Sequence, residues 1–145
     1  MTRAQRTMAG ILTMIAVSVL LVAPGSPASA AASCYAERCQ GLDPSSTNCN
    51  ADGKTLATRV STKNVLVRLR WSPTCRAAWA RIDRASVGDR VRVQRPLDYP
   101  IHDFEAATVT SGSSAYTRMI NDLGLVAQAC GRDISEGELA CTTFH

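Results

Sequence analysis

The clearest pattern in the chain lies over 65–71, where Val65, Val67, Leu69 and Trp71 fall on one face and Arg68 and Arg70 on the other, which predicts a strand with one buried and one solvent-facing side. The segment 90–94 follows the same pattern. The arginines predicted to point outward from these two strands are Arg68, Arg70, Arg90 and Arg92. Weaker patterns predict further strands at 56–60, 104–110 and 115–120. Most of the domain is therefore expected to be β-structure.

A helical period interrupts this pattern. Ser72 and Pro73 are typical of a helix start, with serine as the N-cap and proline at the first helical position. Apolar residues then recur at i, i+3, i+4 and i+7, at Cys75, Ala78, Trp79 and Ile82. The spacing predicts one short α-helix over about 73–84. The expected fold is mainly β with this one helix, as a small disulfide-stapled β-barrel or sandwich.

The first thirty residues are typical of a secretory signal peptide. Two arginines precede an uncharged apolar run at 8–22, and small residues at 28–30 suit a signal peptidase. The apolar run is shorter than the ~20 residues that span a bilayer, so no permanent membrane span is expected. We predict cleavage near Ala30, a single domain over 31–145, and a secreted product.

All six cysteines fall after residue 30, and an even number in a small exported chain predicts three disulfides with 15 possible pairings. They are Cys34, Cys39, Cys49, Cys75, Cys130 and Cys141. A hairpin predicted around 131–137 would place Cys130 opposite Cys141, so this pair is favoured. No C-x-x-C motif occurs and the chain has two histidines, so no metal site is predicted.

The formal net charge of +4 hides an uneven distribution. Residues 59–95 carry ten basic and two acidic side chains, a net of +8, whereas residues 96–145 carry two basic and seven acidic ones, a net of −5. If the strands at 65–71 and 90–94 share a sheet, their four outward arginines would form a ladder suited to phosphate or carboxylate groups. The alternative is an ordinary solvated face.

No catalytic residue and no cofactor are predicted. The chain lacks a G-x-S-x-G nucleophile elbow, a phosphate loop and a dinucleotide fingerprint. A serine triad would need His102 as its base, and a glycosidase would need one of two closely spaced acidic pairs. The residues weighed for these reactions are Asp98, Asp103, Ser113, Ser114, Glu105, Glu136 and Glu138. Both tryptophans are expected to face inward, which argues against nucleic-acid binding.

Four motifs resemble a known family. They are the block Leu69–Ile82 with the sequence LRWSPTCRAAWARI, the C-x-G-x-D-P motif at Cys39–Pro44, the GDRVRV segment at Gly88–Val93, and TRMIND at Thr117–Asp122. Together they resemble the actinobacterial secreted proteins that share domain of unknown function 2690. The segment 97–105 fits that pattern poorly. The resemblance implies export, disulfides and a single fold, and it implies a sensing or binding module more than an enzyme.

The sequence thus predicts a secreted, non-catalytic module that binds an anionic cell-wall polymer or an extracellular protein. Arg68, Arg70, Arg90 and Arg92 are the candidate ligand-binding residues. The alternative function is a secreted inhibitor of an extracellular hydrolase. An inhibitor needs a rigid exposed loop, which residues 96–104 or 111–116 could supply.

Overall fold

The computed structural model describes residues 30–97, 103–135, 137 and 139–145. Within this part the chain forms strands and two 3₁₀ turns, Ala36–Cys39 and Cys49–Asp52, and contains no α-helix. The strands are β1 (Lys54–Val60), β2 (Leu66–Ser72), β3 (Ala77–Asp83), β4 (Arg90–Gln94), β5 (Phe104–Thr108), β6 (Ser114–Tyr116), β7 (Ile120–Asn121), β8 (Gln128–Arg132) and β9 (Leu139–Cys141). Almost the whole predicted signal peptide lies outside the described residues.

The strands form two antiparallel sheets. Sheet A has the order β1-β2-β3, with β6 and β7 both pairing with the other side of β3. Sheet B has the order β5-β4-β8-β9. Strands β2 and β3 pack against β4 and β8, which makes a sandwich. The mainly β prediction is confirmed, and of the two architectures expected, the sandwich is the one observed.

The helix predicted over 73–84 is wrong. Residues Pro73–Arg76 form a turn, in which the backbone N–H of Cys75 donates to Ser72 Oγ at 3.0 Å and that of Arg76 donates to the Ser72 carbonyl at 2.9 Å. The chain then continues as β3, a strand that is buried on both faces. A strand that is buried on both faces lacks the apolar and polar alternation of a half-exposed strand. The apolar residues of β3 therefore also fit the i, i+3, i+4, i+7 spacing of a helix.

The main core lies between the sheets and consists largely of small and β-branched side chains. Val67 and Leu69 of β2, Ala80 and Ile82 of β3, and Val91 of β4 are fully or almost fully buried. The alternate residues of β2 and β4, including the four predicted arginines, therefore point to the outer faces of their sheets.

The N-terminal segment covers the outer face of β3 with a second apolar cluster. Ala77 and Trp79 of β3 pack there with Met119 and with the buried sulfur atoms of Cys39 and Cys49. The disulfides are Cys34–Cys39, Cys49–Cys75 and Cys130–Cys141. The first two tie the N-terminal segment together and to the turn before β3. The third joins β8 to β9, with the pairing that the predicted hairpin favours.

The segment predicted as a strand over 115–120 is split into β6 and β7. Between them, the N–H of Ala80 donates to the side-chain Oγ1 of Thr117 at 3.1 Å, where a regular ladder would use a backbone carbonyl.

Among the residues that the structure describes, no helix is long and apolar enough to cross a membrane.

Candidate functional site

The four predicted arginines do not lie on one face. Arg68 and Arg70 project from the outer face of sheet A, whereas Arg90 and Arg92 project from the outer face of sheet B. Strand β2 pairs with β1 and β3, and β4 pairs with β5 and β8, so the condition for a single arginine ladder is not met. The structure instead divides the predicted set into two pairs on opposite sides of the sandwich.

On sheet A, two arginines face each other across neighbouring strands and share one carboxylate. Arg68 of β2 is the register partner of Arg81 of β3. Asp83 accepts from Arg68 Nη2 at 2.5 Å and from Arg81 Nε and Nη2 at 2.9 Å each. Burial alone would raise the pKa of Asp83, but the hydrogen bonds from Arg81 and Arg68 hold it below its usual value. Asp83 is therefore ionised and fixes both guanidinium groups.

Arg70 has no carboxylate partner among the described residues. Its Nη2 donates to the Gly53 carbonyl at 2.6 Å and its Nη1 donates to Thr55 Oγ1 at 2.8 Å, with the guanidinium carbon 5.9 Å from the centre of the Trp79 ring. Burial lowers the pKa of Arg70, and the charges of Arg68 and Arg81 lower it further. A bound anion would offset the repulsion between these like charges.

These arginines line a groove of about 330 Å³, which we call the arginine groove. One wall comes from the second 3₁₀ turn and the loop before it, where Asn50 Nδ2 of the turn donates to Ser45 Oγ of the loop at 3.3 Å. Ser45 Oγ in turn lies 3.4 Å from the hydroxyl of Tyr116 on β6. The lining residues are Pro44, Ser45, Asn50, Arg68, Arg70, Trp79, Arg81 and Tyr116. Cationic, hydroxyl and amide groups thus converge over an aromatic floor.

The groove carries more positive than negative charge. Three guanidinium groups and Asp83, the one carboxylate that pairs with them among the described residues, give a formal sum of +2. Arg68 Nε is buried without a hydrogen-bond partner among the described residues. Arg70 uses one N–H on each of its two terminal nitrogens in the contacts given above, which leaves further donors. The arrangement suits a small anionic group with several oxygen acceptors.

On sheet B, Arg90 and Arg92 are joined by Arg132 of β8, the register partner of Arg90. We call these three residues the sheet B cluster. All three are exposed, and Arg92 lies 6.0 Å from the centre of the Phe104 ring on β5. They border a shallow cavity of about 370 Å³ whose floor includes Ala106 and Cys130.

Several residues of these two sites were not predicted. Arg81 was assigned to the helix that does not form. A signal for the strand was present, because Arg81 and Asp83 alternate with Ala80 and Ile82, which are buried. This alternation marks Arg81 and Asp83 as the outer face of a strand. Arg132 lies in the predicted hairpin but gives no signal of its own. Tyr116, Ser45 and Asn50 come from distant parts of the chain, and only the fold brings them to the arginines.

The structure describes only part of the set of residues weighed for catalysis. His102 and Asp98 lie outside the described residues, as do Glu136 and Glu138. Asp103 pairs with Arg95 at 3.2 Å. Of the two loops considered for an inhibitor, 96–104 includes residues outside the description, and 111–116 ends in β6, which pairs with β3.

Four of the six cysteines form a compact cluster. The sulfur atoms of Cys34, Cys39, Cys49 and Cys75 all lie within 4.8 Å of one another. They are joined as two disulfides, and Cys34 Sγ lies 3.6 Å from Cys49 Sγ of the other bond. In this oxidised state the cluster is a structural link and offers no thiolate to a metal.

Residues 37–130 match the model of a family described as Protein of unknown function (DUF2690). The chain belongs to this family. The matched span contains the whole arginine groove and, from the sheet B cluster, Arg90 and Arg92, and it ends before Arg132. The DUF2690 description assigns no activity. No curated protein and no solved structure matches the chain.

Proposed function

We infer that this DUF2690 protein is an exported, non-catalytic module that binds an anionic polymer of the cell wall through the arginine groove. The observation that carries the inference is the convergence of Arg68, Arg70 and Arg81 in one concave site with Asp83 as their only carboxylate partner among the described residues. Guanidinium groups bind phosphate and carboxylate oxygens in paired hydrogen bonds, so excess guanidinium in a groove favours such ligands.

The shape and the lining of the groove support a repeating polar ligand. Its volume lies near the lower end of the range for small-molecule sites, so it suits one charged unit of a polymer. Tyr116, Ser45 and Asn50 add hydroxyl and amide groups opposite the arginines. These groups would hydrogen-bond the neutral hydroxyls of a sugar or polyol while the guanidinium groups bind its charge.

Export is supported by the N-terminal pattern and by the three disulfides, because disulfides persist in oxidising compartments. Expression of the full chain in an exporting host tests this part. The intact mass of the product in the medium is expected to match residues 31–145 with all six cysteines oxidised. A product that stays in the cell or keeps residues 1–30 would contradict export.

Retention on purified cell wall at increasing salt tests the groove. We expect the wild type to be retained at low ionic strength and released as salt rises, since the attraction is electrostatic. Arg70→Gln should weaken retention at least about tenfold, because it removes charge-assisted hydrogen bonds worth roughly 1.5–3 kcal/mol.

Arg38→Gln is the matched control, because Arg38 is exposed and does not line the groove. It removes the same charge and should leave retention nearly unchanged. Tyr116→Phe, which removes one hydroxyl, should weaken retention less than Arg70→Gln does. Thermal unfolding of each variant shows that the protein remains folded. Absence of wild-type retention at low salt, or equal losses in Arg70→Gln and Arg38→Gln, would overturn the proposal.

A further inference from the structure

The sheet B cluster places like charges opposite each other, and none of the described residues supplies a counter-charge. Arg90 and Arg132 are direct cross-strand partners, and directly opposed like charges destabilise a sheet. On sheet A the equivalent pair, Arg68 and Arg81, is bridged by Asp83. The guanidinium groups of Arg90, Arg92 and Arg132 form no hydrogen bond and no ion pair with other described residues.

We propose that the sheet B cluster is a second anion-binding site, so that one molecule bridges two chains of a polyanionic polymer. This inference rests on the proposed function, since it gives the molecule a second contact with the same class of ligand. A phosphate or carboxylate group between Arg90 and Arg132 would supply the missing counter-charge, and Arg92 lies one pleat away on the same face.

The surroundings of the cluster define what it accepts. The cavity of about 370 Å³ has an apolar floor formed by Ala106, Cys130 and the ring of Phe104, a residue that is 58% exposed. Such a floor suits the carbon skeleton of a sugar or polyol, while the arginines at its rim suit the charged groups. The arginine groove, by comparison, offers hydroxyl and amide groups opposite its arginines.

The two sites face away from each other, because each lies on the outer face of its own sheet. Packed sheets are about 10 Å apart, and the arginine side chains extend outward on both sides. A short oligoanion bound in the arginine groove cannot reach the sheet B cluster around the edge of the sandwich. Long chains can occupy the two sites on one molecule, and repeated bridging then cross-links them.

Calorimetric titration with two short oligoanions tests the number of sites. Tripolyphosphate is the phosphate probe and trigalacturonate is the carboxylate probe, and the one that binds identifies the charged group. The wild type is expected to take up two oligomers of that probe. The triple variant Arg90→Gln/Arg92→Gln/Arg132→Gln should take up one, and Arg70→Gln should lose the other.

Light scattering with long-chain polyphosphate or polygalacturonate then tests bridging. The wild type should make the solution turbid, and the triple variant should not. The matched control Arg38→Gln/Arg59→Gln/Arg84→Gln removes the same charge from exposed arginines outside both sites and should keep two sites and turbidity.

The outcomes separate the two proposals. One wild-type site that is lost in Arg70→Gln would overturn bridging and leave the groove function standing. If the wild type has one site and only the triple variant loses it, both the bridging proposal and the proposed function of the groove would be overturned. Equal loss in the triple variant and its control would overturn the sheet B site, and absence of binding to either probe would overturn both proposals.

Discussion

Burial disfavours the charged form of Asp122. Among the described carboxyl groups with a shifted pKa, this is the one whose pKa is raised. It lies just after β7 and is 8% exposed, and its Oδ1 is buried without a hydrogen-bond partner in the described structure. Burial raises its pKa to about 7, although the charges of Arg95 and Arg76 act in the opposite direction. The folded protein therefore holds a proton on Asp122 at pH values where the unfolded chain has released it.

This raised pKa predicts a specific pH dependence. Because the folded pKa exceeds the unfolded value of 3.8, Asp122 contributes no penalty below about pH 4, and folding becomes less favourable as pH rises towards 7. Asp122→Asn removes the penalty. We expect the difference in free energy of unfolding, variant minus wild type, to increase by more than about 1 kcal/mol between pH 4 and pH 8. Urea unfolding across this range measures it, and a difference that stays constant with pH would contradict the assignment.

At the scale of the elements, close approach of the two sheets depends on Gly131 of β8. A Cβ atom built at this residue would overlap Val67 Cγ2 of β2 and would lie 3.4 Å from Ile82 Cδ1 of β3. The backbone of β8 therefore packs directly against the side chains of sheet A. A larger residue would push the sheets apart at the centre of the sandwich.

Gly131→Ala should lower the free energy of unfolding by about 1–3 kcal/mol, the usual cost of overfilling a packed core. Val67→Ala alone should also destabilise, by leaving a cavity. In the double variant the new methyl group occupies the space that Val67 vacates, so the combined loss should be smaller than the sum by at least about 0.5 kcal/mol. Additive losses in denaturant unfolding would show that the two residues do not compete for space.

Local patterns predicted the half-buried strands well. Strands β2 and β4 were found because each alternates cleanly between the core and solvent, and Arg68 and Arg70 were placed on an outer face for the same reason. Strand β3 was mistaken for a helix because the N-terminal segment buries its outer face. The division of the arginines between two sheets could not be predicted, since alternation shows which way a side chain points and not which strands pair.

At the scale of the whole molecule, three aspartates with hydrogen-bonded carboxylates make the stability of the fold sensitive to acid. Burial alone would raise the pKa values of Asp52 and Asp83, but hydrogen bonds from Ser72 and Thr74 to Asp52, and from Arg81 and Arg68 to Asp83, hold them below 3.8. Hydrogen bonds from Ser135 and Lys63 lower the pKa of Asp133. These groups stabilise the fold above about pH 4, and that contribution is lost as pH falls through their folded pKa values.

Asp83→Asn tests this response. The variant should be less stable than the wild type by roughly 1.5–3 kcal/mol at pH 7, because it loses charge-assisted hydrogen bonds to Arg68 and Arg81. In unfolding curves recorded between pH 7 and pH 2, the difference in stability should shrink as pH falls, because protonation of the wild-type carboxyl removes the charge that the variant lacks at every pH. A gap of constant size down to pH 2 would show that the ion pairs do not cause the acid sensitivity.

The cluster of four sulfur atoms has a consequence for protein kept with a mild reductant. Cys34 is partly exposed whereas Cys39, Cys49 and Cys75 are fully buried, so an external thiolate reaches the Cys34–Cys39 bond first. Attack at Cys34 Sγ would join the external thiol to Cys34 and release a Cys39 thiolate within 4.8 Å of both Cys49 Sγ and Cys75 Sγ. This thiolate can attack the second bond, form a new disulfide with one of these sulfur atoms and release the other as a thiolate. Partial reduction is therefore expected to produce a mixture of disulfide isomers, which peptide mapping under acid quench would detect.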